Sequence, residues 1–224
     1  MLALPDSTIF GRSIPKEKLF TNLGMETSMR ANYNRRITSI LWQHKLAPET
    51  LHIAKGNTVL EIQVFEVRIR NVKDFDYRIL ECIDQRMPQY ILFVLTCKGW
   101  TQLVLNYKEK SSQTLQEFKV ITSFKTKWME EGTAFTLDLH ALDMDALYAS
   151  IIGQLSEGEV GATQFNGNLS KAIDVALEIR SLAKQIGSLE KRMHREVQVN
   201  KKLEYRRQLL PMKDRMTKLV QERY

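Results

Sequence analysis

The sequence predicts an α+β fold, in which a mostly antiparallel sheet with flanking helices is followed by a C-terminal coiled-coil helical arm. Two observations predict it. Before residue 155, several segments alternate apolar and polar side chains with the two-residue period of strands. Beyond a glycine-rich stretch, apolar residues recur instead in steps of three and four. The predicted boundaries are a head at residues 1–155, a flexible linker at 156–168 and an arm at 169–224.

The head is predicted to begin with two helices, Pro15 to Leu23 and Thr27 to Arg35. Pro15 is tolerated in a first helical turn, and Gly24 is well placed to end the helix. A further helix is predicted over Asp74 to Met87. The last helix of the head is expected to start at Asp143, which is a good N-cap, and to carry a stripe of leucine and isoleucine at four-residue steps.

The predicted strands of the head are, in chain order, ITSILWQHKL, TVLEIQVFEVRIR, YILFVLT, WTQLVLNY, the alternating segment from Phe118 to Trp128, and TAFTLDL. In the second strand the apolar phase slips by one residue at Val64 and Phe65, which predicts a bulge or sharp twist. YILFVLT is apolar on both faces and is therefore expected to be a central strand. Lys98 and Gly99 predict a hairpin into the next strand.

The arm carries two apolar seams. They comprise Ile179, Leu182, Ile186, Leu189 and Met193, then Leu209, Met212, Met216 and Leu219. Pro211 interrupts the second seam. One long kinked helix or an antiparallel hairpin would satisfy both seams. We favour the hairpin, because a single helix of about 55 residues would extend about 80 Å with its apolar stripe uncovered. A second protomer could also cover that stripe.

Composition is that of a soluble, cytoplasmic protein with a packed core. The chain has 224 residues, of which 43% are hydrophobic and 26% are charged. Sequence patterns predict neither a membrane span of about 18 apolar residues nor a signal peptide. Because no apolar run is predicted to span a bilayer, we expect no membrane partner. Cys82 and Cys97 are too few for a disulfide scaffold or a four-ligand zinc site, which favours a reducing compartment.

The net charge of the chain resides in the arm. Residues 171–223 contain fourteen basic and seven acidic residues, an excess of seven that equals the net charge of +7 for the whole chain. The remainder holds nineteen residues of each sign and is neutral. A neutral domain with a basic arm suggests an anionic partner for the arm.

The candidate nucleic-acid-binding residues are six cations of the arm: Lys184, Lys191, Arg195, Lys202, Arg206 and Lys213. They share one face if the helix is continuous, and such a stripe could follow a phosphate backbone. In a hairpin that turns near residues 196–200, four of them would form a basic knob instead. The alternative interpretation is the solvated outer face of a coiled coil. Tyr205 is the only aromatic residue there, so base stacking has little support.

No catalytic, cofactor or metal site is predicted, and the sequence favours a non-enzyme over an enzyme. It has no phosphate-binding glycine loop and no nucleophile elbow. Asp143 and Asp145 resemble a metal pair, but helix capping explains both. Glu49 and Glu61 weakly resemble the acidic pair of restriction-type nucleases, although Gln63 stands where such a site has lysine.

Six segments in order carry a resemblance to a known family: LPDSTIFGRSIPKEKLF, ILWQHKLAPETLHI, EIQVFEV, ECIDQRMPQYILFVL, LDMDALYASIIGQL and REVQVNKKLEYRRQL. Together they resemble the bacterial family called domain of unknown function 4391, over essentially the whole chain. The resemblance implies an α/β head with a helical arm, and it brings no catalytic residue. It also implies a genetic neighbourhood of helicases and DNA methyltransferases in restriction-like phage-defence loci. This chain departs from the family pattern at LLPMKDRM, where Pro211 should disturb a helix.

Three functions are therefore expected. The first is a non-enzymatic accessory subunit of a DNA-directed defence system. Its head would dock a helicase or DNA methyltransferase subunit, and its arm would contact DNA or a partner protein. The second is a structural adaptor that forms a homodimer through the arm without nucleic acid. The third is a metal-dependent nuclease that uses Glu49 and Glu61.

Overall fold

The computed structural model describes residues 2–111, 118–133, 135–160 and 168–222. The chain divides into two compact units, residues 1–156 and 157–224. Most of the stretch that the sequence predicts as a linker, residues 161–167, lies outside the described residues.

The strands of the first unit are β1 (Leu2–Ala3), β2 (Ile9–Ile14), β3 (Ile37–Leu46), β4 (Ile62–Ile69), β5 (Tyr90–Cys97), β6 (Trp100–Lys110), β7 (Phe118–Lys125), β8 (Met129–Glu130) and β9 (Phe135–Thr136). Its helices are α1 (Lys16–Asn22), α2 (Thr27–Arg36), α3 (Pro48–Leu51), α4 (Arg78–Arg86) and α5 (Met144–Leu155). The second unit contains α6 (Leu169–Arg195) and α7 (Val199–Glu222).

The main sheet has the strand order β2-β3-β4-β5-β6-β7, and β8 pairs with β6 outside this path. Every pairing in it is antiparallel except the one between β4 and β5, which α4 connects in parallel. In addition, β1 and β9 form a short parallel pair. The predicted α+β class with a mostly antiparallel sheet is confirmed.

Strand β5 is central and is buried on both faces, as its continuous apolar sequence predicts. On one face Phe93 belongs to a core that includes Phe65 and residues of α1, α2 and α4. On the other face Tyr90 packs against Tyr148 of α5, with ring centroids 4.6 Å apart. The sheet is therefore covered by helices on both sides of its centre.

The predicted irregularity at Val64 and Phe65 is present, but the extra residue belongs to the neighbouring strand. The pairing of β3 with β4 passes from Trp42 opposite Phe65 to His44 opposite Val64, so Gln43 is the inserted residue. The parallel register of β4 with β5 continues unbroken through this point. A bulge in β3 allows β4 to remain regular against the central strand.

Two elements of the structure are not among those predicted from the sequence. The edge strand β2 precedes the first helix and is absent from the predicted elements. Its apolar pattern is broken by Gly11, which has φ +63°, and by a register shift between Ile9 and Arg12. The one-turn helix α3, which ends at His52 in the left-handed conformation, is also absent from the predicted elements.

Helices α6 and α7 pack together as a hairpin, which confirms the favoured arrangement of the arm. Asn168 caps α6 by accepting a hydrogen bond from the backbone N–H of Lys171 at 3.0 Å. Ile186 of α6 and both Leu209 and Leu219 of α7 are buried. Short connections favour such antiparallel helix pairs, because each helix then covers the apolar stripe of the other.

The expected disturbance at Pro211 does not end α7, which continues through this residue to Glu222. Proline removes one backbone donor, so the carbonyl of Arg207 loses its helical partner. Buried leucines at 209 and 219 lie on either side and hold both halves of the helix in place. Within the described residues, no helix is both long enough and apolar enough to cross a membrane.

Candidate functional site

The hairpin tip, defined as residues 191–207, is the most basic region of the arm. It contains the seven cations Lys191, Arg192, Arg195, Lys201, Lys202, Arg206 and Arg207 against two acids. All seven side chains are exposed. Among the described residues, none of them takes part in a side-chain hydrogen bond or an ion pair within 4 Å. The tip therefore presents charge that the arm itself does not neutralise.

Glu196, one of the two acids of the tip, is engaged with the backbone of the turn. Its Oε1 accepts hydrogen bonds from the N–H groups of Val197 at 2.9 Å and Gln198 at 3.0 Å. These bonds, together with the nearby charges of Lys201 and Lys202, hold the pKa of Glu196 below its ordinary value. The carboxylate also faces the positive N-terminal end of α7, so it shapes the turn between the helices.

Three acids of the second unit are paired with cations outside the tip. Arg180 Nε donates to Glu159 at 2.6 Å, Lys213 lies 2.7 Å from Glu190, and Arg215 Nε donates to Glu178 at 2.9 Å. Exposed pairs of this kind contribute little to stability. These pairs neutralise much of the charge along the body of the hairpin, whereas the charge of the tip is not neutralised.

The six sequence-predicted cations are divided between the two helices. Lys184, Lys191 and Arg195 lie on α6, and Lys202, Arg206 and Lys213 lie on α7. The continuous stripe required one uninterrupted helix, so the hairpin replaces it with a group of four at the tip. Lys213 is ion-paired, and Lys184 lies eleven residues before the end of α6, about 16 Å along the helix.

The sequence-predicted set of six cations left out Arg192, Lys201 and Arg207, because they do not follow the stepwise pattern. Sequence reasoning also missed three aliphatic side chains of the tip. Val197 is 87% exposed, Val199 is 70% exposed and Leu203 is 49% exposed. Their exposure could have been predicted from the sequence, since none of the three belongs to either apolar seam. The tip therefore combines unpaired cations with solvent-exposed aliphatic groups.

Glu49 and Glu61 are brought together by the fold, but around a lysine. Lys45 Nζ lies 2.9 Å from Glu49 Oε1 and 3.2 Å from Glu61 Oε2. Gln63 Nε2 donates to Glu61 Oε1 at 2.7 Å. Hydrogen bonding to Lys45 lowers the pKa of Glu49, and the bond to Glu49 raises the pKa of Lys45. The ammonium group occupies the space between the carboxylates, and this arrangement forms a surface ion-pair cluster.

Across the described residues, no group of three or more histidine, cysteine, aspartate or glutamate side chains is arranged to hold a metal ion. Asp143 caps α5 through a 2.8 Å bond from the N–H of Ala146, as expected. Asp145 has an additional role, because its carboxylate accepts backbone N–H groups from residues 57, 58 and 59 at 2.7 to 3.3 Å. It fastens the loop before β4 to the start of α5.

A buried ionic network lies in the head. Lys108 and Asp84 are both fully buried, with Nζ 2.6 Å from Oδ1. The same Nζ donates to the carbonyl groups of Asp84, Met87 and Gln89 at 2.7 to 2.8 Å. Asn106 Nδ2 donates to the other carboxylate oxygen at 3.1 Å. Burial raises the pKa of Asp84 to about 6 and lowers that of Lys108.

This network has no access to solvent, so its role is structural. It ties the C-terminal end of α4 to β6, because one ammonium group satisfies oxygens from both the helix and the turn that follows it. Sequence reasoning missed it, since lysine near the end of an alternating strand is usually exposed. A small cavity of about 230 Å³ lies elsewhere, at the C-terminal ends of β4 and β5, beside Arg68 and Thr96.

Comparison with known proteins gives one match. The family described as "Domain of unknown function (DUF4391)" matches residues 2–216. No curated protein and no solved structure matches the chain. The match covers the head and nearly the whole hairpin, including the tip. This chain is therefore a member of the DUF4391 family.

Proposed function

We propose that the protein is a non-enzymatic interaction subunit that binds DNA through its hairpin tip. The observation that carries this proposal is the group of seven exposed, unpaired cations at the tip, which concentrates five of the seven excess positive charges of the chain. Phosphate groups are their natural partners, since each neutralised phosphate releases condensed counterions and so favours binding. The mostly polar, charged side chains would contact the backbone without reading base sequence.

The wider role that we propose is an accessory subunit of a bacterial, restriction-like phage-defence system. In this role the head would dock a helicase or DNA methyltransferase subunit while the tip contacts DNA. Division of the chain into two compact units is compatible with two separate binding functions. The acidic surface of a partner protein is the other polyanion that this tip could recognise.

Salt titration of DNA binding tests the proposal. Duplex DNA is titrated at several salt concentrations against wild-type protein and the variant Lys191→Glu/Arg195→Glu/Lys202→Glu/Arg206→Glu. We expect a steep decrease of log K with log salt for wild type, and a slope shallower by about 0.9 for each lost phosphate contact in the variant. Absence of binding by wild type at about 0.1 mM and moderate salt would contradict the proposal.

A matched pair of variants distinguishes DNA binding by the hairpin tip from DNA binding by cations spread along the whole arm. Lys202→Glu/Arg206→Glu changes two cations of the tip, and Lys184→Glu/Lys218→Glu changes two exposed cations outside it. Both variants alter the net charge equally. If the tip binds DNA, only the first variant shows a clearly reduced salt slope, whereas equal effects would indicate that total charge governs binding.

The two alternative functions have their own assays. Light scattering of the full-length chain over a range of concentrations tests the dimeric adaptor, for which a mass of twice 26.1 kDa is expected. Incubation with DNA and Mg²⁺ tests the nuclease, and cleavage that is lost in Glu61→Ala would support it. The Lys45 ion pairs argue against this last outcome, because the ammonium group competes with a metal ion for the carboxylates.

A further inference from the structure

The exposed aliphatic side chains of the hairpin tip need a partner with an apolar surface. Val197 lies in the turn between the helices, Val199 is the first residue of α7, and Leu203 lies one helical turn further along α7. Their exposures of 87%, 70% and 49% are high for aliphatic residues grouped in one place. Scattered exposed leucines need no explanation, but a group of aliphatic residues within a functional surface is typical of a binding site.

The surrounding charge restricts what this partner can be. Seven unpaired cations lie in the same tip as the three aliphatic side chains, so a second copy of the tip would bring like charges together and be repelled. A partner must offer negative charge around an apolar surface. DNA offers both where its base faces are exposed, because phosphates then lie beside flat, apolar rings.

The width of the hairpin determines which part of a DNA molecule the tip can reach. Two packed helices, each about 10 Å across and about 10 Å apart, span about 20 Å. The major groove of B-DNA is about 12 Å wide and the minor groove about 6 Å, so the paired helices cannot enter either groove side by side. Along an intact duplex the base faces are also stacked and inaccessible. The aliphatic side chains would then face phosphates or groove edges.

We infer that the hairpin tip recognises DNA at places where base faces are exposed, such as duplex ends and forks, with Val197, Val199 and Leu203 covering the exposed bases. This inference rests on the proposed function, because it assumes that the tip cations bind phosphates. The cations supply affinity for any DNA, and the aliphatic group supplies the preference for a particular DNA structure. Aliphatic side chains are known to pack against unstacked base steps in other DNA-binding proteins.

Competition binding tests the inference. A fluorescent forked duplex is bound by full-length protein, and unlabelled competitors are added at equal nucleotide concentration. The competitors are a relaxed, closed circular plasmid and the same plasmid cut into short, blunt-ended fragments. We expect the fragments to compete about tenfold better than the circle, because they differ only in the number of ends.

Two variants test whether the aliphatic side chains cause the preference for DNA with ends. Val197→Ser/Val199→Ser/Leu203→Ser removes that group, and Leu210→Ser is the matched control, since Leu210 is 57% exposed on the same helix but outside the tip. The triple variant is expected to bind circle and fragments equally and to keep the wild-type salt slope. Leu210→Ser is expected to keep the preference for fragments. Thermal unfolding by circular dichroism verifies that both variants are folded.

Each remaining outcome has a definite meaning. Equal competition by circle and fragments with wild type, or a preference for ends that persists in the triple variant, overturns the inference while DNA binding stands. Competition by polyglutamate as strong as that by the fragments would indicate an acidic protein partner, which also overturns it. If wild type binds neither the fork nor its competitors, the proposed function itself fails.

Discussion

Removing the buried ammonium group of Lys108 should destabilise the head strongly. In Lys108→Met, the carboxylate of Asp84 stays buried without its counter-ion, and three carbonyl groups lose a donor. Breaking one side of a fully buried ion pair costs about 3–5 kcal/mol in free energy of unfolding. For a unit of this size, such a loss corresponds to a decrease in Tm of about 6–20 °C.

The free energy of unfolding that Lys108→Met loses should depend on pH. Burial raises the pKa of Asp84 to about 6, and Lys108 opposes that increase. Without Lys108 the folded-state pKa rises further, so the folded protein takes up a proton more readily than the unfolded chain, whose pKa is about 3.9. Protonation removes the unpaired charge. The penalty of Lys108→Met should therefore be smaller at about pH 5 than at about pH 8.

Urea unfolding monitored by tryptophan fluorescence measures this effect, because Trp42, Trp100 and Trp128 all lie in the head. The double variant Asp84→Asn/Lys108→Met removes both charges and should recover a large part of the lost free energy, since the amide oxygen that replaces the carboxylate can still accept from Asn106. A loss below about 1 kcal/mol for Lys108→Met, or a penalty that grows towards acid pH, would refute this account.

Four further predictions concern single side chains. Asp145→Ala should lower the free energy of unfolding by about 2–3 kcal/mol, measured by urea titration, because three backbone N–H groups lose their acceptor. Pro211→Ala should raise the Tm, because it restores a helical donor in α7; an unchanged or lower Tm would contradict this. Burial lowers the pKa of His44 in the folded protein. Its contribution to the free energy of unfolding is therefore present above about pH 6.5 and decreases as pH falls through the folded pKa. In acid titrations of stability, His44→Gln should abolish this pH-dependent decrease. Hydrogen bonds from the backbone lower the pKa of Glu196, so the contribution of this cap to the stability of the hairpin should decrease as pH falls. Two-dimensional NMR titration of the Glu196 side chain measures this pKa, and an ordinary value would show that the cap is absent.

The central part of the fold follows from local sequence pattern. The observed bounds of β3 coincide with the predicted segment ITSILWQHKL, and β5 has the doubly apolar sequence that a central strand requires. The hairpin was the arrangement favoured from the two seams, because in an antiparallel pair each seam covers the other. These features depend on apolar periodicity, which is visible in a single sequence.

Other features depend on contacts between distant residues and have no local signal. Strand β2 lacks an apolar alternation because it lies at the edge and is bulged. Lys108 is buried only because α4 and the turn after it supply oxygens from residues 84, 87 and 89, about twenty positions earlier in the chain. The number of cations at the tip was evident from the sequence, but the pairing of Lys213 with Glu190 outside the tip required the hairpin geometry.

The single parallel pairing between β4 and β5 has a consequence for how the head folds. It divides the sheet into two antiparallel blocks, β2-β3-β4 and β5-β6-β7, each made of strands that are close in sequence. Pairing of near neighbours costs less chain entropy than the crossover through α4, so each block should gain structure before the two join. Pulsed hydrogen exchange should therefore show protection within β3 and β6 before protection of the amides that link β4 to β5.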